Sequence, residues 1–520
     1  MKKHPQAISY TNPILPGFYP DPSITRAGDD FYLICSSFEY FPGVPIFRSR
    51  DLIHWEQVGH VLDRIGQLDL RSRRSSDGIY APTLRYHDGV FYMITTDVRG
   101  IGNFYVTATD PAGPWSDPIP VPYGGIDPSL MFDDDGRVYV TAQQGADYDS
   151  HVIQYEIDIQ TGRALTEPAV IWRGDGGPWT EGPHLYKIGD LYYIMSASGG
   201  TAKEHREIIG RSSHPYGPFE MCPQPILTHR GIDHPIQYLG HADLIEDQSG
   251  GWWAVFLGVR QVGDGYSYSY SVLGRETFLA PVRWSEDGWP MIDNNEGLVN
   301  LEMNVPRVPG SPSPLVTKAA GKDDFDDGRL DAAWTFLRNP AEGSWSLAER
   351  PGWLTLRGQA AGLSDVGQVA FVGRRQRQVR AAWSTCLEFE PLEEGEEAGI
   401  CARRDEDAHY EICLRKQGGK RVITARLTAR GRTAEEAAVK TEAGRVWLKI
   451  TADAEEYNLL YSLEGGDWVR LAAGPARGLS PEDFVNKMCF TGVVIGLYAT
   501  GNGKACASPA SFDWFEQRME

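Results

Sequence analysis

Five segments within the first 260 residues repeat one phrase: a polar or small head, a proline or small residue, an apolar position, a Gly/Asp turn and paired aromatic or aliphatic residues. They begin at Asp21 (DPSITRAGDDFYLI), Ala81 (APTLRYHDGVFYMI), Asp127 (DPSLMFDDDGRVYV), Glu181 (EGPHLYKIGDLYYI) and His241 (HADLIEDQSGGWWAV). Each reads as a strand, a tight turn and a second strand, and self-similarity at roughly 40–60 residue spacing predicts a β-propeller. Five copies predict five blades. The innermost strands of a propeller run along one central channel, so residues at the same point of each repeat converge on one patch of it. Three of the five heads, Asp21, Asp127 and Glu181, are carboxylates.

Three carboxylates meeting in one pocket suit hydrolysis of an acetal. One group must deliver a proton to the leaving oxygen and another must take a proton from the attacking water. The acid has to stay protonated near neutral pH, which burial and a neighbouring carboxylate enforce by raising its pKa. On this reading Glu181 is the acid, Asp21 the base and Asp127 the neighbour that tunes Glu181. Counting back from Leu185 puts Glu181 one position further out than the other heads, and the prolines after Asp21 and Asp127 bias those aspartates toward extended backbone. Asp-Pro is also a common turn dipeptide, so one such carboxylate alone reads as a turn cap. Three at matching points of a repeat favour the site.

A length of 520 residues calls for at least two domains. The propeller is expected over 1–303. A linker rich in Pro, Ser and Gly follows over 304–322, and residues 323–520 carry short alternating strands that predict a jelly-roll or lectin-like β-sandwich whose expected role is packing. The chain is therefore read as all-β. A formal net charge of -20 disfavours nucleic acid and anionic membranes, and a neutral sugar is the easier partner. No signal-like apolar stretch is evident at the N-terminus, and no run approaches the ~20 apolar residues of a membrane span. The seven cysteines show no zinc-like or paired spacing, so reduced thiols in a cytoplasmic protein are expected.

At the repeat heads the sequence resembles glycoside hydrolase family 43, in particular its β-xylosidase branch with a C-terminal β-sandwich. The resemblance runs through NPILPGFYPDPSI, SSFEYFPGVPIFRSRDLIHW, GIDPSLMFDDDGR, TEGPHLYK, LGHADL and LGRETF, and continues into DDFDDGRL and FTGVVIGLYATG. It implies a five-bladed propeller plus sandwich and single-displacement hydrolysis that inverts the anomeric centre. It further implies Asp21 as base, Asp127 as pKa modulator and Glu181 as acid, with Phe38, Thr201, His241 and Arg275 around the innermost sugar. Two departures bear on substrate. Tyr80 stands at the sugar platform where many relatives have Trp. In Gly492-Val493-Val494-Ile495-Gly496, Val494 stands where the relatives' loop carries an aromatic ring, which predicts a looser leaving-group side and leaves room for α-L-arabinofuranosyl as well as β-D-xylosyl substrates.

Two other functions compete with hydrolysis of this kind. A carbohydrate-binding protein without catalysis would not need all three carboxylates. A retaining fructosyl hydrolase would need Arg-Asp-Pro and Glu-Cys, where this chain has Ile126-Asp127-Pro128 and Glu181-Gly182. The chemistry requires no cofactor and no metal. The acidic run Asp133-Asp134-Asp135-Gly136 resembles part of a calcium loop but lacks its later glutamate, and it reads as a hairpin turn. A structural calcium ion and a homo-oligomer are left open.

Overall fold

The computed structural model describes residues 7–263, 269–293, 298–306, 321–483 and 489–519. Each repeat opens one antiparallel sheet. Blade 1 is built from Ser23–Ala27, Asp30–Ile34, Gly43–Ser49 and Glu56–Leu62, and blade 2 from Thr83–His87, Val90–Val98, Gly102–Ala108 and Ile119–Pro120, with Gly78–Ile79 paired beside them. Blade 3 uses Ile126–Phe132, Val138–Gln144, His151–Glu156 and Ala169–Trp172. Blade 4 uses Glu181–Ile188, Leu191–Ser198, Arg206–Ser212 and Glu220–Met221, and blade 5 uses Ile236–Glu246, Trp252–Arg260, Glu276–Trp284 and Pro290–Ile292.

The paired residues of the repeat phrase explain why the sheets stack in a ring. Successive side chains of a strand point to opposite faces, so a second strand that is apolar at every position has two faces to bury. In blade 1, Phe31 and Leu33 pack into a core shared with blades 4 and 5, whereas Tyr32 and Ile34 join Phe91 and Met93 of blade 2. Ile94 of blade 2 meets Leu130 and Val140 of blade 3. Tyr139 of blade 3 meets Tyr192 and Ile194 of blade 4, and Tyr193 and Met195 of blade 4 return to the core that holds Trp253 and Val255 of blade 5. Each blade thereby needs both neighbours, and the ring closes.

Polar side chains fill the axis. Asp243 of blade 5, fully buried, accepts hydrogen bonds from Ser23 Oγ of blade 1 at 2.6 Å, Arg85 Nη1 of blade 2 at 2.9 Å and Tyr186 Oη of blade 4 at 2.6 Å. Arg85 Nη2 also lies 3.0 Å from His184 Nδ1. Burial opposes the charge on Asp243, but the Arg85 guanidinium and the other donors hold its pKa below the ordinary carboxylate range. This knot ties blades 1, 2, 4 and 5 together close to the repeat heads.

The stretch expected as linker behaves differently at its ends. Glu302–Pro306 is a strand paired antiparallel with Ala7–Thr11, because Met303 and Val305 alternate into the core while Glu302 and Asn304 face outward. Residues 307–320 of that stretch lie outside the described residues. Beyond them two eight-stranded sheets form the sandwich. Its second sheet ends on a strand of the propeller: Tyr40–Phe41 pairs with Thr335–Leu337, Phe41 opposite Phe336 and Tyr40 opposite Leu337. The two domains therefore share a sheet, which is a closer union than packing of separate faces.

A second junction is made by glycines. The sandwich residue Gly492 lies against the propeller segment Leu273-Gly274, so closely that a Cβ on Gly492 would stand 2.2 Å from the Leu273 carbonyl oxygen, and one on Gly274 (φ +79°) 2.8 Å from the Gly492 Cα. Val493 N–H donates to Val272 O at 3.1 Å in the same contact. Gly492→Ala is expected to cost about 1–3 kcal/mol of stability, the usual penalty of forcing an atom into packed backbone, read as an earlier denaturant midpoint than wild type.

Candidate active site

All five repeat heads line one cleft. Asp21, Ala81, Asp127, Glu181 and His241 surround an open space of about 320 Å³ together with Phe38, Tyr80, Ile126, Thr201, Arg275 and Phe490. Asp21, Asp127, Glu181, Phe38, Tyr80, Thr201, His241 and Arg275, which the sequence placed at the site, are therefore at one cleft, and Val494 is not.

The backbone that aims them differs from the proline-based expectation. Asp21, Asp127 and His241 have φ of +53°, +52° and +52°, in the left-handed region, and are not extended. Asp and His tolerate this region better than most residues, yet each such residue still carries local strain. In blade 4 the left-handed position belongs to Gly182 (φ +59°), and Glu181 sits one residue before it. This accounts for the offset counted from Leu185. The strand register shifts between Ile126 and Ser129, between Glu181 and His184, and between Gly240 and Asp243. These are β-bulges, which bend a strand end and redirect a side chain. The ladder across the blade overrides the preference that proline imposes on the preceding aspartate.

Gly182 is required by space as well as by backbone angle. A Cβ there would stand 2.7 Å from Nε2 of the His241 ring. His241 in turn is fixed from below, where the buried Glu207 carboxylate accepts the Ala242 N–H at 3.1 Å.

The three carboxyl groups have distinct partners. Asp21 accepts from Ser36 Oγ at 2.6 Å and from Arg275 Nη1 at 2.7 Å, with His241 Nδ1 at 3.7 Å. It is an acceptor toward both close donors. Asp127 Oδ2 accepts the Gly182 N–H at 3.1 Å, which ties it to the residue next to Glu181. Burial raises the Glu181 pKa, the Asp127 charge raises it further and Arg275 pulls it down less. Burial likewise lifts Asp127, opposed chiefly by His241. Glu181 is accordingly the group that keeps its proton.

Aromatic rings form the opposite wall, and here the sequence reading needs correction. Val494 does not face the cleft; it is fully buried in strand Val494–Thr500 and packs in a cluster with Phe18 and Phe38. The sandwich supplies its ring from Phe490, two residues before Gly492. The Phe490 ring stacks on Phe38 at 5.6 Å, meets Tyr80 edge-on at 5.6 Å and lies 5.2 Å from the Arg275 guanidinium carbon. An aromatic ring from the sandwich therefore lines the cleft although position 494 does not supply it. The signal in the sequence is the aromatic residue of Phe490-Thr491-Gly492, just before the glycine that meets the propeller. Sequence reasoning also missed Ser36.

Two buried polar atoms at the cleft have no protein partner among the described residues: Thr201 Oγ1 and Arg275 Nε. A ligand hydroxyl would satisfy the threonine. The acidic run is a hairpin turn, Gly136 N–H donating to Asp133 O at 3.0 Å, and Lys187 Nζ lies 2.9 Å from both Asp133 and Asp134 carboxylates. With an ammonium already in place, this donor set does not suit calcium. Gly182→Ala should leave the fold intact but lower kcat/KM by about 10²-fold, the cost of displacing reacting groups by around an ångström, measured on a nitrophenyl glycoside.

Comparison with known proteins agrees with this geometry. Residues 10–290 match the family described as Glycosyl hydrolases family 43, and residues 322–518 match the Beta xylosidase C-terminal Concanavalin A-like domain. The chain is 44% identical to the non-reducing end alpha-L-arabinofuranosidase BoGH43B of Bacteroides ovatus, over 98% of this chain and 95% of that one. It is 39% identical to a xylosidase/arabinosidase of Butyrivibrio fibrisolvens, over 97% and 98% of the two chains. Among solved structures, xylan beta-1,4-xylosidase from Bacillus halodurans C-125 superposes with a TM-score of 0.90 at 35% identity, covering 98% of this chain and 100% of that one. With matches over both domains and the repeat heads gathered at one cleft, the chain is a glycosidase that belongs to glycoside hydrolase family 43.

Proposed function

We propose that the enzyme removes single terminal β-D-xylosyl and α-L-arabinofuranosyl residues from hemicellulose oligosaccharides by one inverting displacement. The observation that carries this reading is the pairing of a carboxyl kept protonated, Glu181, with a carboxylate held by cationic and hydroxyl donors, Asp21, in one cleft. Asp243, ion-paired with Arg85, lies on the same strand two residues beyond His241, and Phe490 stacks on Phe38 in the cleft wall. The small cleft that these side chains line suits a single sugar at a chain end.

In the reaction, Glu181 donates its proton to the glycosidic oxygen as the bond to the leaving sugar breaks. Asp21 takes a proton from water attacking the opposite face of the sugar. Asp127 keeps the Glu181 pKa high and fixes its backbone through the Gly182 N–H. Phe38 and Tyr80 present ring surface to the sugar, and Thr201 and Arg275 present hydrogen bonds. All these groups are carboxylates, hydroxyls, rings and a guanidinium, and the proposed steps pass through no cofactor. Support for both sugars comes from the names of the relatives and from Tyr80, a smaller ring than Trp that carries a hydroxyl.

Proton NMR of xylotriose and arabino-oligosaccharide digests tests the reading: free pentose of inverted anomeric configuration is expected. Retained configuration would sink the single displacement, and no pentose from either substrate would sink the function. Glu181→Ala is expected to lose about 10²–10⁴-fold in turnover on these substrates, with a smaller loss on nitrophenyl glycosides, whose leaving groups need little protonation. Asp127→Asn removes a negative neighbour, so Glu181 gives up its proton at lower pH. The alkaline limb of the kcat/KM profile, set by the acid in the free enzyme, should therefore move toward lower pH in that variant.

A further inference from the structure

The Phe490 ring belongs to the sandwich, yet the wall it completes belongs to the propeller, so something must hold the two in register. The contact is direct. Among the described residues, the Phe490 N–H donates to the side-chain oxygen of Ser76 at 3.0 Å. Ser76 is a propeller residue, 8% exposed, in left-handed backbone at φ +72°. Its own N–H donates to Oε2 of the fully buried Glu39 at 2.9 Å. Glu39 follows Phe38, the ring against which Phe490 stacks. One short chain of bonds therefore links both rings of the stack: Phe38 through the backbone to Glu39, Glu39 to the Ser76 amide, and the Ser76 hydroxyl to the Phe490 amide.

The loop that carries Ser76 is pinned at both ends. On the propeller side Gly78 (φ +93°) lies so close to Phe38 that a Cβ would stand 2.4 Å from the Phe38 carbonyl oxygen, and Phe38 and Ile79 exchange backbone bonds at 2.9 and 3.2 Å. On the sandwich side the Glu406 carboxylate accepts Ser75 N–H at 3.2 Å and Ser75 Oγ at 3.1 Å, and it is paired with Arg338 and Arg403. A side chain in strained backbone, at the meeting point of two anchored elements and hydrogen-bonded toward the pocket wall, is placed for a purpose beyond filling space.

We propose that Ser76 is a positioning residue that sets where the Phe490 ring stands over the sugar pocket, with Glu39 as its anchor. Through that ring it governs how tightly the bound glycoside is gripped. It touches none of Asp21, Asp127 and Glu181 and lies off the proposed path of the proton, so its loss acts on substrate affinity more than on the chemical step. This inference rests on the reading of the cleft as a glycoside pocket.

The test is Ser76→Gly, because glycine adopts a φ of +72° without strain and removes only the hydroxyl and its Cβ. The expected result is a KM raised by about threefold to tenfold, the factor that the net loss of one hydrogen bond implies, with kcat changed by less than about twofold and thermal unfolding no earlier than in wild type. Phe490→Ala and the double variant complete a cycle. If Ser76 acts through the ring, Ser76→Gly adds no further rise in KM once Phe490 is alanine. An unchanged KM in Ser76→Gly, or effects of the two substitutions that multiply in full, would overturn the proposal. Activity of the wild-type protein on nitrophenyl β-xyloside and α-L-arabinofuranoside, measured alongside, reports separately on the function itself.

Discussion

The site depends on a left-handed residue at the head of the inner strand in blades 1, 3, 4 and 5. An inner strand in regular conformation would send its side chains to the two faces of its blade, into the cores that hold neighbouring blades together. The left-handed turn at Asp21, Asp127, Gly182 and His241 breaks that alternation for one residue and directs the head toward the axis. Each such turn costs on the order of 1–3 kcal/mol where the residue is not glycine. The surrounding ladders and the Asp243–Arg85 knot just below the heads supply the rigidity that holds it. Blade 4 uses glycine at that point and moves its carboxylate one residue outward, so the acid alone reaches the pocket from a different place on the repeat.

Once the heads converge, the chemistry follows from environment. The whole chain is strongly acidic, at a formal net charge of -20, but its overall charge does not set the behaviour of Glu181. Burial is the largest influence on that residue, with Asp127 adding to it and Arg275 opposing it. Arg275 also binds Asp21 at 2.7 Å. One guanidinium thus holds the base by a hydrogen bond while burial and a like charge favour the protonated form of the acid, and the two carboxyl groups acquire different tasks.

The sandwich is part of this arrangement. The Leu273–Arg275 segment is bonded to Tyr19 on one side, where Tyr19 N–H donates to Arg275 O at 3.1 Å, and meets Gly492 on the other. The residue that holds the base is therefore positioned from both domains. The strand Tyr40–Phe41, which extends a sandwich sheet, leaves Phe38 in the propeller wall only two residues earlier. A displacement of the sandwich would reach the base, the aromatic wall and Phe490 together.

Much of this was legible in the chain. The five repeats, their doubly apolar second strands and the three carboxylate heads follow from periodicity and residue type, because strand alternation and ring symmetry are local rules repeated in order. Phe38, Thr201 and Arg275 were accessible only through resemblance, since nothing in their local pattern marks them. Three features were settled by tertiary structure alone. The backbone at Asp21 and Asp127 is left-handed although a proline follows, because the hydrogen bonds of a whole blade outweigh one steric preference. The aromatic cover is Phe490 and not position 494, because a residue in the middle of a sandwich strand is committed to that sheet's core. Ser36 and Ser76 gained their roles from partners 15 and 414 residues away in the chain. Sequence determines what repeats and what each element prefers; which side chain meets which across blades and domains is decided only when all the preferences compete for the same space.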